Sequence, residues 1–540
     1  MEHHPSYLQK HANITRSRIN NFIGDNQWKD VNIKSVLEHL RVSGEPHVKL
    51  QVWSAPGQER PTFAHAVKQE YRHAKIGDVF GPSWVKYPQA RSHSSLESQP
   101  FTTTHWFRVT VNIPNTFAGR KVMFEMDTSS EAMIWSTDGE PIMGLTGGGG
   151  RERHVDYILT NKATDHEKQR QFYVEMACND LFGNGDYHQH PQDRAIYYRV
   201  NSADLMSHNE SAVALLYDLQ VINDMANRLP RDGPRSWQAL TAANDIVNVF
   251  EHTDLSTIEP AREIARQFFK AQGGEANHQV YAIGNCHIDT AWLWPFAETK
   301  RKAARSWSTQ LQLMDRYPEY KFAASQVQQF EWLKENYPSL FAKIQDKAKA
   351  GQFIPIGGTW VEMDCNMPSG ESLVRQFLLG QRFFKEHFGE TSDVFWLPDT
   401  FGYSSQLPQI VRLAGAKYFF TQKLSWNNMN KFPNTTFRWV GLDGSHVLTH
   451  MAPAETYVGQ CTPGDLIDSV QRHKDLAYTN ESLYLFGNGD GGGGPLRDML
   501  ERMRRMENLD GLPRAKQAHP REFYEHVDET AKDLVSWKGE

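Results

Sequence analysis

The chain has 540 residues and a net charge of −6, with 39% hydrophobic and 12% aromatic residues. This length allows about three globular domains, and the acidic balance argues against a protein that binds nucleic acid or anionic membranes, which requires basic patches. The cysteines lack Cys-x-x-Cys spacing, so we expect neither a disulfide framework nor a cysteine-rich metal site, and a reducing compartment fits.

The N-terminal residues Met1 to Arg16 are polar and do not predict a secretory signal. No apolar run approaches the ~18 residues that cross a membrane. We therefore expect a cytoplasmic protein without membrane insertion. Residues 1–95 mix short helical pieces, such as Ile33 to Leu40, with stretches rich in Pro and Gly, and predict an N-terminal arm.

Residues 96–202 change to a period of two, which indicates short strands separated by turns. The predicted strands are Thr104–Asn112, Lys121–Asp127, Glu131–Trp135, His154–Ile158 and Gln171–Ala177. Close spacing of such strands is typical of an antiparallel, jelly-roll-like β-sandwich. His188 and His190 follow in a loop without a third ligand nearby, and we do not expect them to bind a metal.

Residues 203–275 predict a helical connector. Helical periodicity begins at Asp204 and ends before Pro230, and two more amphipathic segments cover Ser236–Phe250 and Pro260–Ala271.

Residues 276–540 alternate strands with helices, which predicts a β/α domain with about seven parallel strands, barrel-like or open. The predicted strands are Gln279–Gly284, Lys321–Ser325, Phe353–Gly357, Asp393–Leu397, Lys417–Thr421, His446–Met451 and Leu483–Phe486. The helices between most of them include Ala297–Arg316, Glu371–His387, Pro463–His473 and Pro495–Met506.

Polar side chains follow three of these strands. His287 and Asp289 come after the first, Asp399 after the fourth, and Asp490 lies in a glycine-rich loop after the last. Since side chains two apart on an extended chain point the same way, His287 and Asp289 converge as plausible metal ligands. The carboxyl ends of parallel strands share one face, where sites of β/α domains lie, although a single Asp in such a loop is more often a helix cap.

Imidazole nitrogen and carboxylate oxygen together suit Zn²⁺ or a similar divalent ion. Two carboxylates on one face also suggest glycoside hydrolysis, in which one acts as nucleophile or base and the other as acid. Trp292 and Phe401 would then form an apolar platform for a sugar ring, unless they are core residues at a strand end. Asp364 and Asp443 are the next candidates should Asp490 lie too far away.

Three motifs carry a family resemblance. They are GNCHIDTAWLW at 284–294, WLPDTFGYS at 396–404 and GNGDGGGGP at 487–495. Together they resemble the signatures of glycoside hydrolase family 38 α-mannosidases, and most closely the cytosolic and fungal vacuolar branch. The resemblance covers the β/α domain closely and extends to the arm and the β-sandwich.

The resemblance implies specific roles. His287, Asp289 and Asp399 would bind Zn²⁺, with Co²⁺ as an alternative, and Asp399 would also be the nucleophile of a retaining exo-α-mannosidase. Asp490 would be the acid/base, and Trp292 and Phe401 would contact mannose. The resemblance also implies mannose-containing oligosaccharides as substrates, a homo-oligomer, and in the fungal branch vacuolar delivery by selective-autophagy receptors.

One departure from the family pattern concerns a fourth zinc ligand, a second His after the glycine-rich segment. Neither His519 nor His526 matches that motif. We therefore expect the chain to be the N-terminal portion of a longer protein, weakly active alone. Two alternatives stay open: a zinc hydrolase of another class, resembling a deacetylase, in which metal-bound water attacks, and a non-catalytic module for sugar binding or assembly.

Overall fold

The computed structural model describes residues 11–84, 102–164, 169–179, 181, 195–273 and 278–539. His188 and His190 lie outside these residues. Along the described chain, a region of β-strands is followed by a helical region and then by alternating strands and helices.

The β-region carries two helices, α1 (Ala12–Ile23) and α2 (Phe63–Ala66). Its strands are β1 (Glu38–Ser43), β2 (Val48–Ser54), β3 (Arg72–Ala74), β4 (Val79–Trp84), β5 (Thr104–Asn112), β6 (Val122–Asp127), β7 (Glu131–Trp135), β8 (Pro141–Thr146), β9 (Asp156–Thr160), β10 (Gln169–Ala177), β11 (Ala195–Arg199) and β12 (Ser202–His208).

Two antiparallel sheets form a sandwich, as the sequence predicts. Their strand orders are β1-β12-β6-β9 and β3-β2-β5-β10-β7-β8, and β11 pairs with β4 separately. Phe107 and Val109 of one sheet pack against Phe124 and Leu205 of the other. The alternate side chains of the larger sheet, such as Trp106, face the helices instead, so that sheet is buried on both faces.

Residues of the predicted N-terminal arm belong to these sheets. Strand β1 pairs with β12, and β2 pairs with β5, so the sheets extend well before residue 95; the four-part division of the chain stays a prediction. The helix predicted over Ile33–Leu40 is wrong beyond a short 3₁₀ turn at Ile33–Val36, because the chain enters β1 at Glu38. The expectation of a helix from Asp204 is also wrong, since β12 extends through His208.

The helical region consists of α3 (Glu210–Arg228), α4 (Pro234–Val249) and α5 (Ile258–Phe269). Helix α3 begins after Asn209, whose side chain accepts a hydrogen bond from the Ala212 amide at 3.2 Å. This cap explains why the helix starts several residues later than its periodicity alone predicts.

The C-terminal region has ten strands among the described residues: β13 (Gln279–Asn285), β14 (Phe322–Ala324), β15 (Phe353–Pro355), β16 (Val394–Trp396), β17 (Tyr418–Thr421), β18 (Thr436–Val440), β19 (His446–Met451), β20 (Glu481–Phe486), β21 (Arg514–Gln517) and β22 (Ser536–Lys538). Its helices are α6 (Phe296–Met314), α7 (Val327–Asn336), α8 (Pro338–Lys349), α9 (Gly370–Phe388), α10 (Leu407–Leu413), α11 (Pro463–Gln471), α12 (Arg497–Met506) and α13 (Pro520–Thr530).

All seven predicted strands form, and they lie in two sheets. One has the order β15-β14-β13-β20, with β21 also on β13, and the other has the order β16-β17-β19-β18-β22. The Gly357 amide donates to the Val394 carbonyl at 3.1 Å and joins the sheets on one side. On the other side the Leu483 amide of β20 donates to Nε2 of His450 in β19 at 3.1 Å. A side chain therefore takes the place of the backbone hydrogen bonds that would close the two sheets into a barrel.

Among the described helices, none combines the length and the apolar character that a membrane crossing requires.

Candidate functional site

Four of the predicted polar residues lie together at the strand ends. His287 and Asp289 follow β13, Asp399 follows β16, and Asp490 follows β20. One ligand atom from each of the four lies within 4.8 Å of every other. The convergence expected from the parallel strands is therefore present, and it unites residues as far apart in sequence as His287 and Asp490.

The cluster fits a divalent cation. His287 Nε2 lies 3.4 Å from Asp289 Oδ1 and 3.7 Å from Asp399 Oδ2, and ligands held tetrahedrally about 2.1 Å from an ion lie about 3.4 Å apart. Both ring nitrogens of His287 are buried, and neither makes a hydrogen bond of normal geometry within the described chain. One imidazole nitrogen and several carboxylate oxygens form a donor set that Zn²⁺ and related ions prefer.

Glu362 supports this cluster from behind and was missed by the sequence reasoning. Its Oε2 lies 2.9 Å from His287 Nδ1, on the opposite side of the ring from Asp289, and its Oε1 accepts from the Ser325 hydroxyl at 2.6 Å. A metal-binding histidine commonly has such a carboxylate at its second nitrogen, which fixes the ring orientation. The sequence signal was available, since Glu362 follows strand β15.

Protons compete with a cation for His287. Burial lowers the pKa of this imidazole, but Glu362 and Asp289 outweigh burial and hold the pKa well above its ordinary value. Because a metal binds only the deprotonated nitrogen, cation binding at this site releases a proton.

Lys423 contacts Asp399 and was also not predicted. It begins a 3₁₀ turn at Lys423–Trp426, after β17, and its Nζ forms an ion pair with Asp399 Oδ1. The ammonium lies 3.7 Å from the ring centroid of Trp426 and 4.3 Å from that of Phe401. This aromatic cage fixes the ammonium, and the ammonium in turn orients the Asp399 carboxylate.

Asp490 has a different environment from Asp399. The Tyr457 hydroxyl donates to its Oδ1 at 3.0 Å. Burial raises the pKa of Asp490, while His287 opposes the rise. The loop comes this close because Gly487 has no side chain, since a Cβ there would meet the Asn285 carbonyl at 2.4 Å. Burial therefore favours a proton on Asp490, whereas the side chain paired with Asp399 is the ammonium of Lys423.

Exposed aromatic rings surround this face. Phe401 is 75% exposed, Trp426 53% and Trp292 43%. Phe401 lies two residues after Asp399, Trp292 lies three after Asp289, and Trp426 lies beside Lys423. The reading of Trp292 and Phe401 as buried core residues is therefore wrong, and Trp426 is a further ring that the sequence reasoning missed.

The substitute candidates are engaged elsewhere. Asp364 is exposed and accepts from the amides of Asn366 and Met367, and Asp443 accepts from the amide of Ser445, so both are loop caps. His519 caps α13 through its Nδ1.

His526 is engaged as well, since its Nδ1 pairs with Glu481 at 2.6 Å. Among the described residues, no second histidine belongs to the cluster.

Comparisons with known proteins match both halves of the chain. Residues 277–540 match the glycosyl hydrolases family 38 N-terminal domain, and residues 93–206 match the jelly roll domain of alpha-mannosidase. The chain is 42% identical to alpha-mannosidase 2C1 of Homo sapiens over 98% of its own length and 49% of that protein. It is 41% identical to alpha-mannosidase G of Dictyostelium discoideum over 99% of its length and 47% of that protein.

An alpha-mannosidase of Saccharomyces cerevisiae is 39% identical over 98% of the chain and 50% of that protein. The chain thus spans about half the length of the curated relatives it matches. The four clustered residues all lie within the segment that matches the family 38 domain. Residues 277–540 therefore form a domain of the family 38 glycosyl hydrolases.

Proposed function

We propose that the protein is a retaining exo-α-mannosidase that removes terminal α-mannose from oligosaccharides. The observation that carries this proposal is the group of one imidazole and three carboxylates within 4.8 Å, at the strand ends of a family 38 domain. The named relatives, all alpha-mannosidases, support the choice of sugar.

His287, Asp289 and Asp399 are the residues that would hold the cation, Zn²⁺ or Co²⁺. When bound, the ion supplies positive charge that polarises and orients hydroxyls of the terminal mannose. Asp490 is close enough to be a further ligand, but burial raises its pKa, which favours a role in proton transfer.

Asp399 is the proposed nucleophile. Its carboxylate attacks C1 of mannose, the bond from C1 to the leaving oxygen breaks, and a covalent glycosyl-enzyme forms. Lys423 keeps Asp399 oriented, because the ammonium is fixed between Trp426 and Phe401.

Asp490 is the proposed acid/base. It gives its proton to the leaving oxygen and later takes a proton from the water that hydrolyses the glycosyl-enzyme. Oxygens of Asp399 and Asp490 lie within 4.8 Å, which suits retention, with carboxyls about 5–5.5 Å apart, better than inversion at about 6.5–9.5 Å.

The exposed rings support sugar binding at this face. Trp292 and Phe401 are proposed to contact the terminal mannose, since aromatic faces pack well against the apolar side of a pyranose. Location in the cytoplasm is supported by the cysteines, all four of which are buried and unpaired. The vacuolar route, the homo-oligomer and the autophagy receptor stay predictions from the resemblance.

The experiment that tests the proposal is covalent trapping. A fluorinated mannoside with a good leaving group should label Asp399, located by peptide mass spectrometry, and Asp399→Ala should take up no label while remaining folded. Asp364→Asn, in a neighbouring loop, is the matched control and should label normally. Hydrolysis of an aryl α-mannoside by Asp399→Ala at the normal rate refutes the nucleophile. Metal-dependent turnover without any label favours a hydrolase that attacks with metal-bound water.

A further inference from the structure

Lys302 is a buried ammonium between the β-sandwich and the catalytic domain. It lies within α6, and its side chain is fully buried. Its Nζ donates to Glu131 Oε2 at 2.5 Å and to the Leu181 carbonyl at 2.8 Å. Both acceptors belong to the N-terminal β-region, so this region fixes the ammonium. A buried ion pair adds little net stability over an apolar pair of equal size, so stability alone does not account for Lys302 and Glu131.

The same side chain lies against the loop that carries Asp490. A Cβ on Gly491 would lie 3.1 Å from Lys302 Cδ and 3.2 Å from its Nζ, and Gly491 has a φ of +81°. The Gly491 amide in turn donates to the His287 carbonyl at 3.3 Å. The residue next to Asp490 is therefore in contact with Lys302 on one side and with the metal-site segment on the other.

Helix α6 supports this loop at a second point. Gln310 Nε2 donates to the Gly493 carbonyl at 2.7 Å, and the Tyr320 hydroxyl donates to Gln310 Oε1 at 2.6 Å. The loop has almost no side chains of its own to fix it. Lys302 and Gln310 therefore support the loop from below, in addition to the two backbone hydrogen bonds that join Asn488 and Gly494 within it.

We propose that Glu131 and Lys302 are positioning residues for Asp490, so that the β-sandwich helps to set the geometry of proton transfer. This inference rests on the proposed function of Asp490 as acid/base. Asp490 itself has a φ of +55°, so it depends on its neighbours to keep its direction. A proton donor must come within about 2.6–3.2 Å of its acceptor, and a small shift of Gly491 moves the carboxyl out of that range.

The pair can be broken without leaving an unpartnered carboxylate. Glu131 Oε2 also accepts from Asn179 Nδ2 at 2.6 Å and lies 3.2 Å from Arg305 Nη2. Lys302→Met removes the ammonium and keeps a flexible stem under Gly491. Glu131→Gln keeps the shape and removes the charge.

The test uses the dependence on the leaving group. In the full-length, metal-loaded protein, kcat/KM is measured for α-mannobiose, whose leaving oxygen needs a proton, and for 2,4-dinitrophenyl α-mannoside, whose leaving group does not. We expect Lys302→Met and Glu131→Gln to lower the mannobiose to dinitrophenyl ratio about tenfold or more, within the 10²–10⁴ that general acid catalysis contributes. The double variant should be no worse than either single one.

Glu175→Gln is the matched control. Glu175 crosses the same interface to Arg301 at 3.3 Å and accepts from Trp135, and neither partner belongs to the glycine-rich loop. Its ratio should stay normal. Since both substrates are measured on one sample, partial unfolding lowers both rates and leaves the ratio unchanged.

Two results distinguish a failure of this inference from a failure of the proposed acid/base role of Asp490. If Asp490→Ala lowers the ratio but Lys302→Met and Glu131→Gln do not, the positioning role is wrong and the acid/base assignment stands. If Asp490→Ala itself leaves the ratio unchanged, Asp490 is not the acid and both proposals fail.

Discussion

Glu362→Gln tests whether the carboxylate behind His287 strengthens cation binding. Oε2 of Glu362 lies 2.9 Å from His287 Nδ1, and adding the ring and a metal bond places it roughly 7 Å from an ion at Nε2. A unit charge and a divalent ion at that distance attract by about 5 kcal/mol at an effective dielectric of 20. Glutamine keeps a dipole toward the ring, so we expect a smaller loss, about 10–100-fold in affinity.

The assay is competition with a chromophoric chelator at pH 8, read as the dissociation constant for Zn²⁺. Asp364→Asn is the control, because Asp364 lies two residues away, is exposed and caps its own loop. It should leave the constant within about twofold, less than 0.5 kcal/mol. Tight binding by Glu362→Gln, together with weak binding by Asp289→Asn, would show that Glu362 does not support His287.

Three further outcomes are expected. Lys423→Met should lower kcat/KM about 10²-fold because Asp399 loses its fixed ammonium. Hydrolysis of an aryl α-mannoside by this variant at a near-normal rate would contradict this. Trp426→Ala should raise KM severalfold with kcat less affected; a pure kcat effect would count against sugar contact. Burial lowers the pKa of His278, His450 and His473, to about 4 in His278 and about 3 in His473. The folded protein therefore holds these histidines in the neutral form, and the resulting stabilisation is fully present above pH ~6.5 and is lost as the pH falls toward 4. Urea denaturation at pH values between 7.5 and 5 should show this decline in the free energy of unfolding, and a free energy of unfolding that does not change with pH would contradict it.

The cluster of polar residues at one end of the β/α domain was predictable because the signal is local. Each of His287, Asp399 and Asp490 directly follows a buried strand, and parallel strands bring their carboxyl ends to one edge. Seven strands and most of their helices follow from periodicity, although β18, which pairs antiparallel with β19, and the short strands β21 and β22 do not. Strands β21 and β22 have only four and three residues, too few to show a period of two.

What could not be predicted depends on distant pairing. Strand β1 forms only because β12, more than 150 residues later, lies beside it, as in the contact of Arg41 with Asp204. Lys423 reaches Asp399 from another strand end, and Lys302 reaches Glu131 across an interface. Nothing in the local sequence of a lysine distinguishes a buried partner from a solvated one, so these contacts required the fold.

The central claim is that His287, Asp289 and Asp399 share one cation. Anomalous X-ray diffraction from crystals of the full-length protein loaded with Zn²⁺ tests it directly. The account predicts an anomalous peak about 2.0–2.2 Å from His287 Nε2 and from an oxygen of each aspartate. A peak elsewhere, with none between these three side chains, would contradict it.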